Sequence, residues 1–312
     1  MALYLITGIG GFIGSSLARA LLARGAQVRG IDNFATGRRE NLAEILDRID
    51  FREADILDLD AMKQACAGVD YVLHQAAIPS VPKSVLDPLA SNRANVDGTV
   101  NVLVAARDAK VKRVVYAASS SAYGDTPTLP KHEGMTPNPI SPYAVAKLAS
   151  EHYMISFYRC YGLETVALRY FNIFGPRQDP SSPYSGVLAK FITLMLRGEQ
   201  PTIFGDGEQS RDFTYIDNAV EANLLACDAP ASDAAGQVFN IATGRRITLK
   251  ETVKMLQRLT SYSGEAKFAP ERGGDIKHSL ADISKAEVHL RYRPKVNFEE
   301  GLRRTVDWYR GK

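Results

Sequence analysis

Tyr143 and Lys147 stand four residues apart, so on a helix they share one face. A phenol with its ordinary pKa near 10 is a poor base at neutral pH. A neighbouring ammonium group, or another fixed positive charge, favours the phenolate and makes the oxygen a usable proton acceptor. Such pairs also occur on exposed helix surfaces, so the surrounding elements decide what this one means. It follows an apolar run, Arg113 to Ala118, that ends in Ser119-Ser120-Ser121-Ala122-Tyr123-Gly124. Prolines at 127, 130, 137, 139 and 142 make the next segment a loop, and a helix is predicted from Tyr143 to about Tyr161.

A second set of residues lies at the N-terminus. Leu3-Tyr4-Leu5-Ile6 reads as a strand, Thr7 to Gly14 as a glycine turn, and Ser15 onward as a helix. Gly8, Gly11 and Gly14, with Phe12 and Ile13 between them, let the backbone turn tightly beneath a pyrophosphate. The N–H groups and positive dipole end of the new helix then face its charge. The spacing is G-x-x-G-x-x-G rather than G-x-G-x-x-G. A second strand, Gln27 to Ile31, ends at Asp32, where a carboxylate accepts from both ribose hydroxyls of an adenosine and repels a 2′-phosphate. NAD is therefore the expected cofactor, with Asn33 beside it, although Arg38 and Arg39 leave a 2′-phosphate open.

The elements that position these groups alternate strand and helix. The expected fold class is α/β, a doubly wound parallel sheet (Rossmann) with a smaller, discontinuous C-terminal α/β substrate domain. Residues 1–172 and 212–244 form the expected dinucleotide-binding part, and 173–211 with 245–312 the substrate part. A loop and a short helix follow Asp32, then a third strand, Asp50 to Ala54. Asp55 and Ile56 either lie beside the adenine or cap the helix from Leu59. Tyr71 to His74 is the fourth strand, and the small residues Gln75-Ala76-Ala77 let a cofactor pass close. His74 reads as a core histidine. Asp87 to Ala109 is one long helix, Thr165 to Arg169 a sixth strand, Leu188 to Leu196 a helix, and Val238 to Ala242 a further strand of the sheet.

Composition narrows the functional classes. The 312 residues carry 38 Lys and Arg against 35 Asp and Glu, a net charge of +3 without a dense basic stripe, so nucleic acid is not expected. Cys66, Cys160 and Cys227 lack CxxC spacing and give neither a disulfide framework nor a structural zinc. No apolar run approaches 18 residues and no basic leader precedes the first strand, so a cytoplasmic protein without a membrane span is expected.

Taken together, Gly8-x-x-Gly11-x-x-Gly14, Ser119 and Tyr143-Ala-Val-Ala-Lys147 resemble the extended short-chain dehydrogenase/reductase family over essentially the whole chain. Within it the chain is most similar to the nucleotide-sugar 4-epimerases. The resemblance implies that Tyr143 is the base, that Lys147 holds the nicotinamide ribose and lowers the phenol's pKa, and that Ser119 bonds the sugar O4. It further implies that hydride passes from C4 to NAD and returns to the opposite face of a 4-keto sugar, with no net redox change. Family dehydratases put Asp and Glu directly after the Ser or Thr. Here Ser120 and Ser121 stand there, which argues against dehydration.

The resemblance also assigns the substrate side. Phe204 stacks on uracil, Arg211 and Arg272 meet the diphosphate, Asp275 binds the uridine ribose, and Asn172 contacts phosphate or sugar. Ser80, Ser121 and Val187 complete the set. Ser279 stands where epimerases restricted to UDP-glucose and UDP-galactose carry a tyrosine, which leaves room for an N-acetyl group. The segments Ile78 to Ser84 and Arg169 to Asn172 look like those of UDP-N-acetylglucosamine 4-epimerases. The expected activity is thus 4-epimerisation of UDP-N-acetylhexosamines as well as UDP-glucose and UDP-galactose. A strict UDP-glucose 4-epimerase, a UDP-glucuronate 4-epimerase and a non-catalytic dinucleotide sensor are the rivals. Relatives imply a homodimer through the helix bearing Tyr143 and the long helix before the fifth strand.

Overall fold

Strands buried on both faces read as continuous apolar runs, and a helix after each one brings the next back parallel to it. The computed structural model describes residues 1–180, 186–271 and 276–311. In the first half, β1 (Leu3–Thr7), α1 (Phe12–Ala23), β2 (Gln27–Asp32), β3 (Asp50–Glu53), α2 (Leu59–Cys66) and β4 (Tyr71–His74) follow one another. Next come α3 (Val81–Leu86), α4 (Pro88–Asn92), α5 (Gly98–Asp108), β5 (Arg113–Ser119), α6 (Pro142–Tyr161) and β6 (Glu164–Tyr170). The remainder holds β7 (Ile173–Phe174), α7 (Val187–Leu196), β8 (Thr202–Phe204), β9 (Ser210–Arg211), β10 (Thr214–Tyr215), α8 (Ile216–Asp228) and α9 (Ala231–Ala234). Last are β11 (Gln237–Ile241), β12 (Ile247–Thr248), α10 (Leu249–Thr260), β13 (Lys267–Ala269), α11 (Ser284–His289) and α12 (Phe298–Arg310).

Seven strands form one parallel sheet in the order β11-β6-β5-β4-β1-β2-β3. The order reverses between β1 and β4, which opens a crevice at the C-terminal edge where ligands of such sheets bind. Successive residues alternate between two cores. Leu5, Val72, Val114 and Ala167 pack with α2, α5 and α6, while Ile6, Leu73, Val115 and Leu168 face the other way. That second core runs on through Phe174, Phe191, Leu256 and Leu302, so the C-terminal segments share it. Short strand pairs tie residues 173–215 to 247–269, through β8 with β13 and β9 with β12, while β7 pairs with β10 within the first of these segments.

Two local expectations change. The short helix after Arg39 is instead two 3-10 turns, Arg39–Asn41 and Leu46–Arg48. Leu42 and Ile45, the buried pair here, lie in the turn between them. The long helix before β5 is interrupted by a π turn, Arg93–Asp97. Asn95 is buried in it and binds the Ile78 backbone on both sides, accepting from its N–H at 2.8 Å and donating to its carbonyl at 3.3 Å. One extra residue per turn is what lets that amide reach Ile78 at the sheet edge.

Candidate active site

The glycine turn leaves β1 with Gly8 at φ +69°, where a Cβ would sit 2.7 Å from the Ala76 nitrogen. A Cβ on Gly14 would lie 2.2 Å from the Gly8 carbonyl oxygen, so only hydrogen fits between turn and helix. α1 then starts at Phe12 with no side chain capping it among the described residues. Its first N–H groups point their partial positive charge at the crevice, a ready site for a pyrophosphate.

Asp32 ends β2, and its carboxylate accepts from the Gly10 N–H at 2.8 Å and the Phe34 N–H at 2.7 Å. Burial raises its pKa and those two bonds oppose the rise. Arg38 pairs with Asp179 at 2.6 Å and Arg39 with Glu53 at 2.6 Å, so both cations left open to a 2′-phosphate already face carboxylates. Asp55 accepts from the Asn33 amide at 2.8 Å and lines the crevice with Ile56. The helix cap that competed for Asp55 belongs to Asp58, which accepts from the Ala61 N–H at 3.0 Å. These groups fit NAD, the cofactor of the family identified below.

Asp32, Asn33, Arg38, Asp55 and Ile56 line one cavity of about 1060 Å³. Across the sheet edge it passes from Asp55, Ile56, Asp32 and Asn33, over Gly8, Gly11, Phe12, Ile13 and Gly14, to Gln75, Ala76 and Ala77. It continues to Ser80, Ser119, Tyr143, Lys147 and Asn172 beside β5 and β6. Its size exceeds the ~300–1,000 Å³ of pockets for drug-sized ligands, in keeping with a dinucleotide beside a second molecule.

Tyr143 and Lys147 reach this cavity from the first turns of α6. Burial raises the Tyr143 phenol above its ordinary pKa, and its hydrogen bond with Ser119 works against that rise. Ser119 Oγ accepts the Ser121 hydroxyl at 2.8 Å and the Ser121 N–H at 3.2 Å, which leaves its own proton to donate. Ser121 itself stands behind Ser119 and does not line the cavity. Lys147 Nζ donates to the Ala117 carbonyl at 2.8 Å and lies 4.8 Å from the centre of the Tyr116 ring. Burial pulls its pKa down to about 7. The expected lowering of the phenol by Lys147 is therefore not the dominant influence in this arrangement: burial dominates at Tyr143.

This depressed pKa has a sign that can be measured. Unfolded, a lysine keeps its proton to about pH 10.4; folded, Lys147 releases it near 7. Between those values the unfolded chain binds more protons, so stability should rise with pH from about 7 to 10 and level off below 7, where both states hold the proton. Thermal unfolding of dinucleotide-stripped protein across that range should show the slope, and Lys147→Met should flatten it.

His74 ends β4 and is fully buried, as a core histidine should be. The Thr99 hydroxyl donates to the Asn95 carbonyl at 2.6 Å, so Thr99 Oγ1 must accept from His74 Nε2 at 3.0 Å. His74 Nδ1 then accepts from Thr7 Oγ1 at 2.7 Å, and that oxygen receives the Ala76 N–H at 3.2 Å. Burial and then the Lys147 charge push its pKa down to about 3, so the ring stays neutral and braces the small-residue turn.

The rest of the expected substrate set is dispersed. Asn172, at φ +41°, donates to the Asp212 carbonyl at 3.0 Å and to Ser279 Oγ at 3.5 Å. Ser279 thus stands behind Asn172 at the cavity rim. Val187 begins α7 just after Gly186, which lines the cavity although Val187 does not. Phe204 and Arg211 lie on β8 and β9, off the cavity wall, and Arg211 donates to the Ser210 and Lys277 carbonyls at 3.0 and 3.1 Å. Arg272 and Asp275 lie outside the described residues. Sequence reasoning missed Gly37, where a Cβ would come within 3.0 Å of both Asp32 oxygens, and Tyr170, whose hydroxyl donates to Gln75 and accepts from Asn223. The Thr36-Gly37 pair after the acidic strand end was the available signal for Gly37; for Tyr170 it was its place in the Arg169 to Asn172 segment.

Fold and cavity define an NAD-dependent enzyme of the Rossmann class. Residues 4–242 match the NAD dependent epimerase/dehydratase family, and the chain belongs to it. A UDP-glucose 4-epimerase of Mycolicibacterium smegmatis is 39% identical over 312 residues, covering 99% of this chain and 98% of its own length. A UDP-glucose 4-epimerase of Thermotoga maritima, solved with UDP-glucose, superposes with a TM-score of 0.94 at 40% identity over 99% of each chain. A UDP-N-acetylglucosamine 4-epimerase of Methanobrevibacter ruminantium M1, solved with UDP-N-acetylmuramic acid, gives 0.93 at 40% identity over 99% of this chain and 98% of the other.

Proposed function

We propose that this NAD-dependent UDP-sugar 4-epimerase acts on UDP-N-acetylglucosamine and UDP-N-acetylgalactosamine as well as UDP-glucose and UDP-galactose. The observation that carries the catalytic part is the meeting of Ser119, Tyr143 and Lys147 at one end of the dinucleotide cavity. Gly8, Gly11, Phe12, Ile13, Gly14, Asp32, Asn33, Asp55, Ile56 and Gln75 to Ala77 would hold NAD. Bound there, it supplies a two-electron acceptor and donor for a sugar carbon. Tyr143 accepts the sugar O4 proton, directly or through Ser119, and later returns it. Lys147 binds the adjoining ribose. Ser121 orients Ser119 through the bond already described. Ser120 and Ser121 carry hydroxyls where dehydration would need carboxyl groups. Residues 1–172 with 212–244 serve NAD, and 173–211 with 245–312, including Phe204, Arg211, Arg272 and Asp275, serve the UDP-sugar.

Breadth towards N-acetylated sugars rests on Ser279, a small side chain against the cavity-lining Asn172. Ser279→Tyr is expected to cut turnover of UDP-N-acetylglucosamine at least tenfold relative to UDP-glucose, in the range a steric difference in a pocket gives. Product analysis on both sugars checks it, and equal loss on both would remove Ser279 as the gate.

A second copy of the chain is part of the same proposal. α3, α4 and α6 expose Val85, Leu86, Leu89, Val145 and Tyr161, with Leu86 at 77% and Leu89 at 74%. Exposed apolar side chains gathered on neighbouring helices mark an interaction surface. Leu89→Glu should convert a dimer to monomer in sedimentation analysis; an unchanged sedimentation coefficient would count against this face. No helix among the described residues is long and apolar enough to cross a membrane, and residence in the cytoplasm belongs to the proposal.

A further inference from the structure

The first turn of a helix has N–H groups with no partner inside it, and α6 satisfies each in a different way. Pro142 has none to offer. The Ala144 N–H goes to Ser141 Oγ at 3.2 Å, and the Val145 N–H to the Ser141 carbonyl at 2.9 Å. The Tyr143 N–H alone is bonded from outside, donating to Ser84 Oγ at 3.0 Å. Ser84 is fully buried on α3, 59 residues away in sequence, and its hydroxyl donates in turn to the Val81 carbonyl at 2.7 Å. The oxygen therefore has one orientation, set by α3, in which it can receive the tyrosine amide.

α3 also belongs to the cavity. Ser80 caps it, accepting the Lys83 N–H at 3.1 Å, and both Ser80 and Lys83 line the wall beside Tyr143. The element that shapes the wall is thus the element that grips the backbone of residue 143. We propose that Ser84 is a positioning residue: its Oγ holds the Tyr143 amide and so fixes where the phenol stands relative to Ser119 and the sugar. The assignment rests on Tyr143 as the proton acceptor. Misplacement of a reacting group by about 1 Å costs on the order of 100-fold in rate, and loss of one amide bond permits a shift of that kind.

The test is steady-state epimerisation by the NAD-loaded enzyme. Ser84→Ala should lower kcat by roughly 10- to 100-fold with KM changed by no more than about twofold and dinucleotide content intact. In a Tyr143→Phe background the same substitution should add nothing, because its effect acts through the phenol. Ser84→Thr keeps the oxygen and should retain kcat, whereas Ser84→Val, of the same shape, should lose it. Equal rates in the Thr and Val variants, an equal further loss in the Tyr143→Phe background, or a change confined to KM would each overturn the assignment. Normal turnover in Tyr143→Phe alone would instead refute the proton-acceptor role, a separate result.

Discussion

Tyr143→Phe should retain its fold and its dinucleotide and lose epimerisation by about 10²- to 10⁴-fold, the usual worth of a positioned acid–base group. The substitution deletes one oxygen and keeps the ring among the cavity-lining groups. Its cost in stability is one hydrogen bond with Ser119, about 0.5–1.5 kcal/mol. The loss should fall on kcat, because the phenol acts on a proton that moves in the reaction rather than on a group that anchors the nucleotide. Rate measurements on UDP-glucose, with NAD content read by absorbance after denaturation, check the outcome. A rate within about tenfold of the parent enzyme would mean that another group takes the proton. Ser119→Ala should fall between the two, since it removes the relay but leaves the phenol.

Glu151→Ala should be among the most damaging single changes to stability. Glu151 and Arg169 bury their side chains to 3% and 4% exposure and share two bonds, at 2.8 and 2.6 Å. The guanidinium also lies 4.6 Å from the centre of the Tyr123 ring, while its Nη1 has no partner among the described residues. Burial works against the arginine's charge, and the bonds to Glu151 more than offset it, so its pKa is raised. Removing the carboxylate leaves a buried cation uncompensated, at a cost of about 3–5 kcal/mol. Replacing both partners by methionine should cost far less, because no charge is then stranded. Chemical unfolding of the single and double variants distinguishes these cases. A single variant losing under about 1 kcal/mol would show that water or another group takes over. The pair links α6 to β6, so the helix bearing Tyr143 and Lys147 should loosen with it.

Much of the cofactor side was legible because it is short-range chemistry. A glycine turn between strand and helix, an acidic strand end and small residues after the fourth strand are each local patterns, and the parallel sheet brings every strand end to one edge. The strand expected from Val238 to Ala242 joins that sheet at its edge as β11, beside β6. The substrate side was less legible. Ser279 meets Asn172 across 107 residues, and no periodicity reports such a contact. Asp55 and Asp58 illustrate the limit at short range: both suit a helix cap by residue type, and only backbone geometry decides that Asp58 takes it. The π turn at Asn95 was likewise hidden, because its cause is the reach of one amide to Ile78 rather than any feature of the helix sequence.

By itself, the order of residues determined the alternation of strands and helices, the glycine cradle, the acidic end of β2 and the shared helix face of Tyr143 and Lys147. These depend on backbone sterics and spacing over a few residues. Tertiary structure alone decided that Lys147 is desolvated, that Tyr143 is gripped through Ser84, and that Arg38 and Arg39 are spent on carboxylates. Burial and pairing across long separations set protonation and position, and neither exists until the sheet and its helices have closed around the site.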